Sequence, residues 1–146
     1  MTDRGVSTAL GYVLGLAIIT VMISGLFITT GAVVSDQRER AIQSELRVLG
    51  NQIAADITTV DRLAFAEPGS AVRLTRSLPG TVAGTSYEIQ LEYDGSRPAT
   101  IELVSNQPEV AVTVRVTNGT AIANSTAFGG DVAIKYNGSA VVIDGA

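Results

Sequence analysis

Among its 146 residues the chain has no cysteine, no histidine and no tryptophan. Without cysteine there is no disulfide framework and no thiolate chemistry. Without histidine there are no imidazole bases, no His-zinc sites and no Ser-His-Asp triads. Lysine is almost missing too: Lys135 is the only one, and nine of the ten basic residues are Arg. A formal charge of −4 gives a nucleic acid nothing to bind, so no nucleic-acid partner is expected. The fourteen acidic residues are scattered, with no spacing that sets up general acid/base work, a calcium loop or a phosphate loop. Catalytic residues, metal ligands and cofactors are therefore all expected to be none, and the protein is not expected to be an enzyme.

Charge is also missing from one long stretch. Residues 5–35 carry none, with Arg4 just before them and Asp36, Arg38, Glu39 and Arg40 just after. As a helix this run would be ~46 Å long at ~1.5 Å per residue, against the ~30 Å of a bilayer core. It is far longer than the apolar region of a removable secretory signal, so it reads as a retained membrane helix. Apolar residues surround its axis on all sides, as lipid or a bundle of like helices requires. Within it Gly11 and Gly15 form a small-xxx-small pair suited to close helix packing. The leader's weak positive charge places the N-terminus in the cytoplasm and the rest of the chain outside.

At the edge of the run lies Asp3-Arg4-Gly5-Val6-Ser7-Thr8. This resembles the class III signal of archaeal type IV pilins and archaellins, and in style the haloarchaeal pilin-like membrane proteins. The resemblance covers about residues 3–65. It implies a prepilin-type peptidase that recognises Arg4 and Gly5 and cuts before Val6, on the cytoplasmic side of the membrane. It further implies a hydrophobic helix that assembles with identical or related pilin-like subunits into a surface filament. Bacterial pilins carry a Glu soon after the cut, whereas no acidic residue follows here before Asp36.

Beyond residue 35 the pattern becomes one-sided. Ile42, Leu46, Leu49, Ile53, Ile57, Val60 and Ala64 are spaced by three and four, on one helical face. Asp36-x-x-Glu39 has the form of a capping box, where a helix could restart, and Gly31 and Gly50 are points where it could bend. One long helix to about Phe65 is the favoured reading, ended by Glu67-Pro68-Gly69-Ser70. After it the period switches to two. Tyr87, Ile89, Leu91 and Tyr93 alternate with polar residues, as do Val110, Val112, Val114 and Val116. Shorter strands are expected at 72–78, 99–104, 132–136 and 140–143, with Asn137-Gly138 as a two-residue hairpin turn.

A β region of this size is marginal alone and needs a cover for its apolar face, which the stripe from Ile42 to Ala64 supplies. The expected class is α+β: a long N-terminal helix packed on a small antiparallel β-sheet domain, the pilin-like architecture that the resemblance also implies. The expected divisions are a leader at 1–5, a transmembrane or assembly helix at 6–35, an amphipathic helix at 36–66 and an antiparallel β domain at 67–146. Residues 118–130 read as an exposed loop. Asn118, Asn124 and Asn137 each head an N-x-Ser/Thr acceptor pattern for N-glycosylation, although Asn and Gly are also ordinary turn residues. A different reading of the whole is an uncleaved single-pass anchor carrying an extracellular binding module.

Overall fold

The structure, a computed structural model, describes residues 3–67, 69–95 and 98–146, and of residues 3–6 and 28–32 the backbone alone. Helix α1 runs unbroken over Asp3–Ala66. No proline occurs before Pro68, so nothing along the way removes an amide donor. The possible restart at Asp36-x-x-Glu39 does not occur, because helical residues flank that box on both sides. The helix ends where expected: Glu67 N donates to Leu63 O at 3.1 Å, and Gly69 takes a positive φ of 95°. A side chain there would be strained, so glycine suits the stop.

Two compact units divide the chain, Met1–Arg38 and Glu39–Ala146. In the first, the described residues are helix throughout. The second joins the remainder of α1 to seven strands: β1 (Val72–Ser77), β2 (Tyr87–Glu92), β3 (Ala99–Asn106), β4 (Glu109–Val116), β5 (Ser125–Phe128), β6 (Asp131–Tyr136) and β7 (Val141–Gly145). All pair antiparallel, as short strands joined by polar turns do.

They form two sheets, of order β1-β6-β7 and β4-β3-β2-β5, where one small sheet was expected. Residues 121–125 join them. Ile122 forms a parallel bridge with Val141, Ala123 N donates to Val141 O at 3.0 Å, and Ile143 N donates to Ser125 Oγ at 3.0 Å. Strand β5 lies inside the stretch expected to be an exposed loop. Its Ser-Thr-Ala-Phe sequence has only Ala127 facing inward, too little apolar alternation to mark it as a strand beforehand.

The stripe on α1 is the cover for both sheets. Ile42, Leu46, Leu49, Ile53, Ile57, Val60 and Ala64 are all buried, and all but Ala64 share one cluster with Tyr87, Ile89 and Leu91 of β2, Ile101 and Leu103 of β3, and Val132 and Ile134 of β6. Gly50 has a role that its helix-weakening character conceals. A Cβ there would come within 2.8 Å of Val114 Cγ2 and 3.0 Å of Leu103 Cδ1, so its missing side chain lets the helix close onto β3 and β4.

Candidate functional site: the uncovered apolar helix

Residues Ser7–Phe27 form the one described helical segment long and apolar enough to cross a membrane, with 21 residues, a mean hydropathy of 2.2 and no part buried. At ~1.5 Å per residue it is ~31 Å long, the thickness of a hydrocarbon core. Leu10, Tyr12, Leu16, Ile19, Met22 and Phe27 stand between 56% and 75% exposed, so no face is sheltered. Burying one such aliphatic or aromatic side chain is worth about 1.5–3 kcal/mol, and water is a poor solvent for the whole segment. Two of its hydroxyls are already bonded to the helix itself. Thr20 Oγ1 donates to Leu16 O and Ser24 Oγ to Thr20 O, each at 2.8 Å. A hydroxyl bonded to its own helix enters lipid without an unmet donor.

Gly11 and Gly15 face open space, since a Cβ at either would meet nothing within 4 Å. The backbone at Arg4, Gly5 and Val6 is helical, and their side chains lie outside the described residues.

In the second unit two carboxylates that the sequence left unassigned tie α1 to the strands and loops. Asp56 is buried and accepts from Arg76 of β1 twice, from Nε at 2.7 Å and from a terminal nitrogen at 2.5 Å. The hydrogen bond and charge of Asp56 raise the Arg76 guanidinium above its ordinary value. Asp61, also buried, accepts from Gly119 N at 2.8 Å, from Thr120 N at 2.7 Å and from the Thr120 hydroxyl. The only signal in the sequence was position: Asp56 and Asp61 each adjoin a residue of the buried stripe, Ile57 and Val60.

The three acceptor asparagines differ in their surroundings. Asn118 is only 3% exposed, and its Nδ2 donates to Thr120 O at 2.7 Å. A glycan on that nitrogen is incompatible with the folded domain, because it would need both the bond and the buried space. Asn124 is exposed and its Oδ1 accepts from Tyr93 N at 2.8 Å. Asn137 is exposed, in a loop of residues 137–140 rather than the two-residue turn expected. Its Oδ1 closes that loop, and Gly138 supplies a positive φ of 92°.

Beside Asn124 a cleft of about 320 Å³ is lined by Glu92, Tyr93, Asp94, Pro98 and Thr100. Glu92 and Asp94 supply its two carboxylates. Among the described residues no group of three or more Asp and Glu could hold a metal ion.

A model for a family of unknown function, DUF7266, matches residues 1–144. The chain belongs to this family. The match takes in the apolar helical segment and all but the last two residues of the chain. No curated protein and no solved structure matches the chain.

Proposed function

We propose that the protein is a subunit or accessory component of an archaeal type IV pilus-like surface filament. It is made as a membrane-inserted precursor and cut after Gly5, and its role is not enzymatic. The observation that carries this reading is the uncovered Ser7–Phe27 segment, which follows Arg4-Gly5 directly and belongs to the same helix that buries its later face on the sheets. Such a segment needs an apolar environment on every side. Lipid provides it before assembly, and like helices provide it in a filament core. In this scheme the β domain lies outside the cell.

The test is mass spectrometry of the mature N-terminus. A chain beginning at Val6 supports the proposal, and an intact Met1 in cells with an active prepilin-type peptidase sinks it. The helical backbone through Gly5 favours a second reading, an uncleaved single-pass anchor bearing an extracellular binding module. Replacing Gly5 with Trp separates the two. Loss of processing and of filament association supports the filament subunit, whereas unchanged behaviour supports the anchor.

A further inference from the structure

From the geometry of the β6–β7 loop we infer that Asn137 is a glycosylated residue of this protein, and that Asn118 and Asn124 are not. The inference rests on the reading that the β domain lies outside the cell. Three chemically equivalent sequons sit in three different settings. A glycosyltransferase must reach the Asn amide and the hydroxyl two residues on, and must then leave a bulky sugar in solvent.

Asn118 fails on burial, with its Nδ2 committed to Thr120 O. Its Thr120 hydroxyl is committed to the Asp61 carboxylate. Asn124 is exposed, but its sequon runs into strand β5. There Thr126 pairs with Gln90 of β2, and Ser125 Oγ accepts from Ile143 N. An enzyme would have to strip β5 from β2 to reach that stretch, whereas opening the β6–β7 loop breaks no strand pairing. Asn137, Gly138 and Ser139 lie wholly in the loop and all three are exposed.

The loop also polarises the acceptor amide. Asn137 Oδ1 accepts from Ser139 Oγ at 2.8 Å, Ser139 N at 3.0 Å and Ala140 N at 3.0 Å. Three donors on one carbonyl oxygen draw electron density from the amide and make an Nδ2 proton easier to remove. One of these donors is the sequon's own hydroxyl, Ser139 Oγ. In the transfer step Nδ2 attacks the anomeric carbon of a lipid-linked sugar phosphate. The N–C bond forms, the C–O bond to phosphate breaks, the lipid phosphate leaves, and the Nδ2 proton passes to a base of the transferase.

Trypsin separates the sites. Cleavage after Arg115 and Lys135 gives peptide 116–135, with Asn118 and Asn124, and peptide 136–146, with Asn137 alone. The full-length protein is purified from membranes of the cells that make it, and both peptides are weighed. Topology is read separately with Thr81→Cys, an exposed site in a chain that has no other cysteine, using a membrane-impermeant maleimide on intact cells. The expected result is a labelled Thr81→Cys variant, sugar mass on 136–146 and a bare 116–135. Ser139→Thr should keep that mass, and Ser139→Ala should lose it while the domain stays folded. A labelled variant with 136–146 bare, with only the small mass gain of deamidation at Asn137, or with sugar on 116–135 overturns the inference and leaves the topology standing. An unlabelled variant overturns both.

Discussion

Helix α1 carries two apolar surfaces of different design. In Ser7–Phe27 the apolar residues go all the way round, and every large one is exposed. From Ile42 to Ala64 seven of them, spaced by three and four, form one buried stripe, while Val48 and Leu63 lie off it and are exposed. Both are rich in Leu, Ile and Val, yet only the first is apolar enough overall to cross a membrane, and the two differ in period as well. A stripe is matched to a flat partner such as a sheet face, whereas an all-round surface has no use for a sheet and calls for a solvent. Polar groups differ in part. Thr20 and Ser24 bond back onto their own helix in the first segment, as Thr58 and Thr59 do in the second, but only the second adds carboxylates, Asp56 and Asp61, that reach out to strands and loops.

The contrast is broken or kept most clearly by truncating one leucine in each region. Leu46→Ala should cost the β domain about 2–5 kcal/mol, the usual range for a buried leucine. Leu16→Ala should leave that stability within about 0.5 kcal/mol and weaken partition into vesicles instead. Urea unfolding of the detergent-solubilised chain, followed by its sheet signal, measures the first, and vesicle flotation measures the second. Equal destabilisation by both would mean that the apolar segment is structural to the domain.

A smaller effect is expected at Asp61. Asp61→Ala removes the acceptor for the Gly119 and Thr120 amides, at a cost of about 1–3 kcal/mol. Amide hydrogen exchange should speed up at those two residues first. If exchange there stays slow, the carboxylate does not hold the loop and the comparison of polar roles weakens.

The smallest effect is one of alkaline pH. Burial first, and the negative charge of Glu45 second, push the Tyr87 phenol up to about 12. An unfolded tyrosine loses its proton near ~10. The folded state thus holds a proton that the unfolded state gives up, so stability is flat below about pH 10 and falls between about pH 10 and 12. At about pH 11 the loss is on the order of 1.4 kcal/mol. Denaturation midpoints across this range should slope in the native chain. In Tyr87→Phe they should be flatter from a lower start, because the bond from the phenol to Pro79 O at 2.7 Å is gone. An unchanged slope would place its origin elsewhere.

Much of this fold could be read from residue order. The stripe of α1, six of the seven strands and the helix stop at Gly69 followed from period and turn chemistry, since each depends on neighbours within a few positions. What could not be read depends on distant contacts. Gly50 looked like a weak point until Val114 and Leu103 lay against it. Ser125–Phe128 becomes a strand only because β2 offers it a partner, and Asn118 is buried only because Asp61 holds the two residues after it. At the candidate site the apolar run and its charge-free length were legible. Which asparagine stands in solvent was not, because all three share one local motif.

The bridge at residues 121–125 has one more consequence, for aggregation. Two separate sheets of these orders would expose four outer strands, β1, β7, β4 and β5. The links at residues 121–125 cover part of the β5 and β7 borders and leave β1 and β4 as the fully outer strands. An outer strand invites pairing with another chain, a hazard that charge on the strand reduces. Strand β1 carries Arg73 and Arg76, and β4 carries Glu109 and Arg115. Those charges oppose edge-to-edge pairing with the sheets of another chain.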